Sequence, residues 1–267
     1  MAVEIMHGVE SVASERGMAV GFTDVVHQAS EGRSYTRLLL AREPVGVIAV
    51  HLGYAPEQHT MLAASSVPLV LLDPTGDPEY ALPSVGATNW SGGISAARHL
   101  LDLGHRRIAV ITGPTDRLCA RARLAGAKAA MDSGGIPEDR RLVRSGQWFA
   151  FEDGLSHGRE LLRLPDPPTA IMCGNDLQAL GVYEAARLAG RRIPQDLSVV
   201  GFDDLPMTRW CGPPMTTVRQ PLAEMGAVAT RMVLALAEGR PPAQRRVELA
   251  TTLIVRDSTA PPGGAVH

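Results

Sequence analysis

Apolar and polar positions alternate along the chain in a pattern that predicts strands and helices in turn. Apolar runs of strand length cover residues 18–23, 45–50, 67–72, 85–88, 108–112, 170–173 and 197–202, and a weaker run lies near Val143. Apolar residues at helical spacing predict helices over residues 5–17, near 38–40, and over 91–103, 118–133, 152–162, 177–190 and 221–238. Residues 247–255 are expected to be extended, and the Pro/Gly-rich end from Ser258 to His267 to be frayed. Regular alternation of this kind predicts an α/β fold with parallel sheets covered on both faces.

The segment from Thr169 to Asp204 carries the strongest functional signal. It predicts a strand, a helix and a second strand, and polar side chains follow both strands: Asn175, Asp176, Asp203 and Asp204. Because the carboxyl ends of strands line the ligand crevice in open parallel sheets, these four side chains are expected side by side at a binding site. Asn175 can donate and accept at once, which suits a ligand hydroxyl, whereas Asp176 is expected to be the N-cap of the helix that begins at Leu177.

Composition and charge narrow the function classes. The 267 residues are 45% hydrophobic and 20% charged, as in folded globular proteins, and they suffice for one large or two smaller α/β domains. The formal net charge of −2 supplies no bulk attraction to nucleic acid or to a membrane surface. Cys119, Cys173 and Cys211 form an odd set without CxxC spacing, which favours a reducing cytoplasm over a disulfide framework. With neither an export signal nor a long apolar run, the sequence predicts no secretion and no membrane span.

Six segments occur in a fixed order over nearly the whole chain. Each segment alone is weak evidence for a protein family, but their combination is specific. They are HLLDLGHRRIAVITGP (99–114), RARLAG (121–126), GQWFAFEDGL (146–155), AIMCGNDLQALGV (170–182), IPQDLSVVGFDD (193–204) and MTTVRQPLAEMG (215–226). The combination resembles the lactose/galactose repressor family of bacterial transcription regulators. The resemblance implies the type I periplasmic-binding-protein-like fold: two Rossmann-like subdomains with parallel sheets, joined by three crossovers, with an effector in the cleft between them.

Mapping the family's crossovers onto this sequence gives one subdomain from residues 1–106 plus 219–244 and another from 107–218 plus 245–258, with a tail over 259–267. Family members begin with a helix-turn-helix headpiece and a hinge helix, and no such segment precedes Met1. The first core strand, which normally comes before the first helix, is also absent, so the first subdomain is expected to have a gap in its sheet. Operator DNA is then a partner only through a headpiece absent from this chain, and a homodimer is the expected assembly.

The resemblance implies the effector-binding and dimerising part of a cytoplasmic repressor of carbohydrate-utilisation genes, with a small carbohydrate as effector. Asp203 is by this resemblance the carboxylate that receives ligand hydroxyls, whereas Asp204 is expected to cap the turn at Pro206. Arg123 resembles the family's effector-binding arginine, although an arginine on a helix is usually a solvated surface charge. Trp148 falls where some members stack an aromatic on the sugar, and packing in the core is the alternative.

Four further residues complete the candidate ligand site. His51 and Asp73 end strands of the first subdomain, which directs both toward the cleft. Ser91 begins a helix, where a serine is most often only a cap. Leu222 offers apolar contact near a crossover.

Two other functions stay open as alternatives. One is the solute-binding component of a sugar transporter, which shares the two-lobed fold and would need an export signal. The other is an α/β hydrolase, because the segment from Gly154 through Ser156 to Gly158 satisfies the G-x-S-x-G nucleophile pattern. That motif requires a strand immediately before it, and the surrounding pattern predicts a helix. Neither a P-loop nor H-E-x-x-H nor G-x-G-x-x-G occurs, so we expect no enzyme activity, no catalytic residue, no cofactor and no metal.

Overall fold

The computed structural model describes residues 1–23, 41–50, 65–74, 82–136 and 142–263. The chain forms two compact units, of which the first spans Met1–Ala87 and Pro221–Leu249 and the second spans Thr88–Gln220 and Ala250–His267. It therefore passes from one unit to the other three times. Each unit is built on a largely parallel sheet with helices, so the predicted α/β class is confirmed, with two Rossmann-like subdomains and three crossovers.

In the described residues, the first unit contains a four-stranded sheet. Its elements in the described residues are α1 (Ala2–Glu15), β1 (Val47–Val50), β2 (Leu69–Leu72), β3 (Ser84–Ala87), α6 (Leu222–Ala237) and β9 (Arg246–Leu249). The strand order is β1-β2-β3-β9, and neighbouring strands are parallel. β2 is buried at every position, as its continuous apolar sequence predicts for a strand covered on both faces.

The second unit contains a six-stranded sheet. Its elements are α2 (Asn89–Asp102), β4 (Ile108–Thr112), α3 (Leu118–Ser133), β5 (Leu142–Ser145), α4 (Phe151–Leu162), β6 (Ala170–Cys173), α5 (Asp176–Leu188), β7 (Ser198–Asp203), a 3-10 helix (Pro206–Arg209), β8 (Thr216–Arg219) and β10 (Thr252–Ile254). The strand order is β10-β8-β7-β6-β4-β5, and among these described strands only β10 runs antiparallel to its neighbour. β4, β6 and β7 are buried throughout, with Phe202 in the core on one face of the sheet and Val199 in the core on the other.

The unit boundaries differ from those that the family mapping predicts after residues 106 and 244. α2 belongs to the second unit, because Ala97 and Leu100 pack in the same core cluster as Val110 of β4. β9 belongs to the first unit, because it pairs with β3 from Ser84 and Arg246 onwards. The extended segment predicted over residues 247–255 is therefore two strands, one in each sheet.

Two parts of the strand pattern depart from the prediction. Residues 18–23 have no regular structure, since no described strand pairs with them, and Phe22 among them is exposed. β8 is absent from the predicted strands because two of its buried positions carry threonine, so a search for apolar runs passes over it. The helix predicted near residues 38–40 lies outside the described residues.

The segment after Ser258 is anchored, so the prediction of a frayed end is wrong as far as Ala260. Ser258 is fully buried, and the Ala260 carbonyl accepts hydrogen bonds from His105 Nε2 at 2.9 Å and from Ser198 Oγ at 3.0 Å. Desolvation lowers the pKa of His105 despite this hydrogen bond, which favours the neutral ring. Pro and Gly content does not reveal such side-chain anchors, because they come from distant parts of the chain.

Glycines allow pairs of helices to pack with their backbones in direct contact. A methyl group at Gly93 of α2 would overlap the carbonyl oxygen of Arg123 in α3. Gly154 of α4 faces the α5 backbone, and Gly8 of α1 faces the α6 backbone, in the same way. α2 is thereby held against α3 at the residue whose side chain is a candidate ligand contact.

We expect Gly93→Ala to destabilise the second unit, because α2 or α3 must move to admit the methyl group. Overpacking of this kind costs about 1–3 kcal/mol, which exceeds the gain of about 1 kcal/mol that alanine has over glycine inside a helix. Thermal unfolding followed by circular dichroism should show a lower midpoint. Gly86→Ala in β3 is the control, because no described residue lies within 4 Å of a Cβ added there. An equal loss in both variants would contradict this explanation.

Candidate functional site

The candidate site lies at the carboxyl ends of the strands in the second unit. β4, β6, β7 and β8 are successive neighbours in that sheet. The residues that meet there come from five places in the sequence: Asn89 at the start of α2, Arg123 in α3, Gly174 after β6, Asp203 at the end of β7 and Gln220 after β8. This is the edge at which parallel sheets bind their ligands.

Arg123 is the centre of this cluster. Its Nε donates to Asn89 Oδ1 at 2.8 Å, and its Nη1 donates to the Gly174 carbonyl at 2.6 Å. Nη1 also lies 3.7 Å from Asp203 Oδ1, and both side chains are only 5% exposed. A solvated surface charge is therefore the wrong interpretation of Arg123, since a guanidinium removed from water needs partners of this kind.

Two aromatic rings lie against the Arg123 guanidinium. Its Cζ is 3.7 Å from the ring centre of Phe202 and 5.8 Å from that of Phe149. Phe202 immediately precedes Asp203, so a single strand supplies both a ring and a carboxylate. Gly113 leaves room for the Phe149 ring, which a methyl group at that position would overlap. These contacts restrict the orientation of the planar cation.

Asp203 has an unusual backbone conformation. Its φ of 111° lies in a region that residues with a side chain rarely adopt, and such conformations persist where the surroundings determine them. Gln220 Nε2 donates to Asp203 Oδ1 at 2.6 Å. Because an ionised carboxylate only accepts hydrogen bonds, this contact also fixes which way the Gln220 amide points.

Gln220 is the residue of this cluster that sequence reasoning missed. It is 4% exposed, and its Oε1 is buried with no hydrogen-bond partner among the described residues. Leaving such a group unpaired costs about 1–3 kcal/mol, so it calls for an explanation in a native protein. Gln220 follows β8 directly, and the rule that selected Asp203 would have selected it too if β8 had been recognised.

Asn175, and not Asp176, caps α5, so the capping role predicted for Asp176 is wrong. Asn175 is the N-cap of α5, and its Oδ1 accepts a hydrogen bond from the Gln178 N–H at 2.9 Å. Its Nδ2 donates to the Phe149 carbonyl at 3.0 Å, so both ends of the Asn175 amide have partners in the local structure. Asp176 is the first residue of the helix and not its cap.

Asp176 is fully buried and binds two groups far away in the sequence. Its Oδ2 accepts from the Leu205 N–H at 2.7 Å, and its Oδ1 accepts from Thr217 Oγ1 at 2.6 Å. Desolvation and the nearby Asp203 carboxylate raise the pKa of Asp176 well above its usual value, although both hydrogen bonds oppose the shift. Capping rules could not assign this role, because they consider only neighbours along the helix.

Asp204 is an ion-pair partner, so its predicted role as the cap of the turn at Pro206 is wrong. The N-cap of the 3-10 helix is Leu205, and no side chain caps it. Arg219 Nε and Arg256 Nη2 donate to the two carboxylate oxygens of Asp204 at 2.7 and 2.6 Å. Although burial opposes ionisation, the hydrogen bonds from the two arginines hold the pKa of Asp204 below its usual value.

Trp148 is 60% exposed, so packing in the core is the wrong interpretation. It lies between β5 and α4. Its backbone N–H donates to Asp153 Oδ2 at 2.9 Å, and its backbone carbonyl accepts from Gln178 Nε2 at 3.3 Å. Gln178 also donates to the Thr112 carbonyl and accepts from the Gly174 N–H. The Trp148 loop is therefore fastened to the carboxyl ends of β4 and β6, with its indole ring accessible.

The remaining predicted ligand residues are distributed over both units. Ser91 is exposed within the first turn of α2, and the N-cap of that helix is Thr88, so Ser91 is not the cap. Asp73 and Leu222 are buried in the first unit, and Asp73 has a φ of 49° just after β2. His51 lies outside the described residues.

Nothing around Ser156 supports the hydrolase alternative. Ser156 is exposed in the middle of α4, so the G-x-S-x-G match does not form a turn between a strand and a helix. Gly154 and Gly158 instead lie where α4 packs closely against α5. Among the described residues, no cluster of three or more His, Cys, Asp or Glu side chains could hold a metal ion. In the same part of the chain, no helix combines the length and apolar character needed to span a membrane.

The two-unit fold and a polar cluster at strand carboxyl ends define a protein of the periplasmic-binding-protein-like class. Residues 97–259 match the family model of the periplasmic binding protein-like domain. The HTH-type transcriptional repressor CytR of Escherichia coli (strain K12) is 32% identical over 256 residues, which are 96% of this chain and 74% of CytR.

Solved structures of transcriptional regulators give the same result. A LacI family regulator from Enterococcus faecium with bound ribose has a TM-score of 0.85 and 26% identity, over 97% of this chain and 94% of that chain. The complex of the regulator CelR with cellobiose has a TM-score of 0.84 and 34% identity, over 96% and 78% of the two chains. This chain belongs to the LacI family of transcriptional regulators, and it is not an enzyme. Membership in a family of regulators also decides against the transporter component.

The buried Asp176 carboxyl gives stability a definite pH dependence. Because its pKa is raised above the ordinary 3.8, the folded chain binds this proton more tightly than the unfolded chain does. The free energy of unfolding therefore falls as pH rises from that ordinary value, until Asp176 is ionised in the folded state as well. Asp176→Asn mimics the neutral acid, so its stability relative to the unaltered chain should increase as pH rises above the ordinary pKa of 3.8.

Asp196→Asn is a control with the opposite sign. Hydrogen bonds from Arg192 lower the pKa of Asp196 to about 2, so its ionised form stabilises the fold above the unfolded-state pKa and this contribution is lost as pH falls. Urea unfolding at several pH values measures both variants. A pH-independent difference between Asp176→Asn and the unaltered chain would show that the pKa of Asp176 is not raised.

Proposed function

We propose that this chain is the effector-sensing part of a transcriptional repressor that responds to an uncharged carbohydrate. The observation that carries the proposal is the buried pair of Arg123 and Asp203 beside the Oε1 of Gln220, which has no hydrogen-bond partner among the described residues. The effector binds at the carboxyl ends of β4, β6 and β7 in this proposal.

The charge balance of the cluster favours a ligand without net charge. Arg123 and Asp203 carry opposite charges 3.7 Å apart, so the pair together offers no excess charge to an anion or a cation. It does offer N–H donors beside carboxylate acceptors, and Gln220 adds an amide acceptor. Neighbouring sugar hydroxyls each donate and accept, and they match such a set in a way that an apolar ligand does not.

Two relatives and one side chain support a carbohydrate. The Enterococcus faecium regulator was solved with ribose, and CelR was solved with cellobiose. The exposed indole of Trp148 supplies a flat apolar surface with a polar edge, which suits the C–H face of a sugar ring.

Regulation follows from a shift between two arrangements of the complete regulator. The effector must bind these arrangements with different affinity, because a ligand that binds both equally shifts neither population. A second copy of the chain and operator DNA are the partners that family membership adds to the proposal.

Removing one polar anchor should weaken sugar binding. We expect Asp203→Asn, Arg123→Met and Gln220→Leu each to raise the Kd about 10-fold to 100-fold, because hydrogen bonds that involve charged groups contribute about 1.5–3 kcal/mol and each loss leaves a buried partner unpaired. Isothermal titration calorimetry with ribose, cellobiose and other mono- and disaccharides measures this.

Arg121→Ala is the matched control, since Arg121 is exposed and lies two residues before Arg123 in α3. Circular dichroism at the titration temperature shows that each variant is folded. Unchanged affinity in folded Arg123 and Asp203 variants would refute the site, and no binding of any sugar by the unaltered chain would refute the ligand class.

Trp148 should report directly on the sugar. All three tryptophans are exposed, so replacing Trp90 and Trp210 by Phe isolates the Trp148 emission without disturbing the core. In that background we expect saturation with sugar to change the emission, and Trp148→Phe to raise the Kd several-fold. The melting temperature should hardly change, because substitutions of exposed residues usually alter the free energy of unfolding by less than about 0.5 kcal/mol. Emission that is insensitive to a sugar shown to bind by calorimetry would contradict stacking on Trp148.

A further inference from the structure

We propose that Asp176 is a positioning residue of the effector site, and that it fixes the backbone turn that presents the Asp203 carboxylate. The inference rests on the proposed function, because Asp176 affects the effector only through Asp203. Asp176 is completely buried, so its own carboxylate does not reach a ligand in solution.

The turn after β7 needs external support. Asp203 has a φ of 111°, which residues with a side chain rarely adopt, and it is followed by Asp204 with a φ of 56° in the left-handed region. Such a pair persists only where the surroundings over-determine the backbone. The direction of the Asp203 carboxylate depends on this turn, since its side chain leaves the main chain there.

Asp176 contacts the main chain on both sides of Asp203. After the turn, the Leu205 N–H donates to Asp176 Oδ2 at 2.7 Å. Before the turn, Asp176 Oδ1 lies so close to Gly201 that a methyl group there would overlap it. Asp176 therefore packs closely against β7 and accepts a hydrogen bond from the chain that leaves β7.

Thr217 fixes Asp176 in turn. Its Oγ1 donates to Asp176 Oδ1 at 2.6 Å, and Thr217 lies beside Gly201 in the register of β7 with β8. Each oxygen of Asp176 thus has its own donor, one on the turn and one on the neighbouring strand. The carboxylate is held in place by the sheet, and it holds the turn.

Asp204 supports the same turn through a separate set of contacts. Its carboxylate binds Arg219 and Arg256, which belong to β8 and to the segment after β10. These ion pairs fix the Asp204 side chain, whereas Asp176 fixes the main-chain N–H of Leu205. The two contacts act on different atoms, so the loss of one is not replaced by the other.

A double-mutant cycle tests the inference with ribose and cellobiose as separate probes. Asp176→Ala should raise the Kd about tenfold in the unaltered chain and less than about twofold in the Asp203→Asn background, because a positioning residue loses its effect once its target is gone. A general loss of structure would instead add the same factor in both backgrounds. That outcome, or an unchanged Kd in Asp176→Ala, overturns the inference.

Conservative and control variants separate positioning from folding. Asp176→Asn should recover most of the affinity that Asp176→Ala loses, because its amide oxygen can accept from Leu205 and its amide nitrogen can donate to Thr217 Oγ1. Asp196→Ala removes a carboxylate of the second unit that pairs with Arg192, and it should leave the Kd unchanged. If Asp176→Ala does not fold, Thr217→Val removes one of the two contacts and should show the same dependence on Asp203 with a smaller factor.

A measurement without ligand tests the geometry directly. Hydrogen exchange of the Leu205 amide should be at least about tenfold faster in Asp176→Ala than in the unaltered chain or in Asp196→Ala. If the Leu205 amide in Asp176→Ala stays as protected from exchange as in the unaltered chain, the inference is overturned, regardless of the Kd values measured for the sugars. Failure of the proposed function can be distinguished from failure of this inference, because it appears as an unchanged Kd in the single variant Asp203→Asn.

Discussion

The burial of one arginine is the constraint on which the rest of the second unit depends. Removing a guanidinium from water costs several kcal/mol unless its donors and charge are compensated. Arg123 obtains this compensation from Asn89, Gly174 and Asp203, which belong to a helix and to the ends of two strands. The order of β4, β6 and β7 in the sheet and the packing of α2 on α3 are therefore conditions for placing a single cation.

Helix packing and the polar cluster are connected through the same residue. The α2 backbone approaches α3 at Gly93, where the carbonyl of Arg123 leaves no room for a side chain. α2 also supplies Asn89, which accepts a hydrogen bond from the Arg123 side chain. A shift between these helices would thus change the guanidinium's donor geometry, so the small residues in α2 and α3 matter for the site as well as for stability.

The sequence reveals the elements whose burial is apolar and local. α3 and β4 begin and end at the predicted residues because their apolar spacing or continuous apolar run is unambiguous. β8 is missed because its buried faces carry threonine, and Gln220 is missed with it. The opposite error occurs at residues 18–23, where an apolar run predicts a strand that the structure does not contain, because no described strand pairs with it. The family resemblance singled out Arg123 and Asp203, but contacts between distant residues decided the roles of their neighbours.

Three aspartates at one edge of the sheet show how surroundings, not residue type, set the role of a carboxylate. Asp204 makes two charge-assisted hydrogen bonds to arginines at 2.6 and 2.7 Å, which fully commit it to the fold. Asp176 is buried beside another carboxylate, and its raised pKa reflects that cost. Asp203 lies 3.7 Å from Arg123, close enough for attraction but longer than a direct hydrogen bond. Asp203 also accepts from Gln220 Nε2 at 2.6 Å, so the length of a hydrogen bond does not separate Asp203 from Asp204. The nature of the partner does, because Asp204 binds two arginines directly whereas Asp203 binds a neutral amide and lies 3.7 Å from a guanidinium.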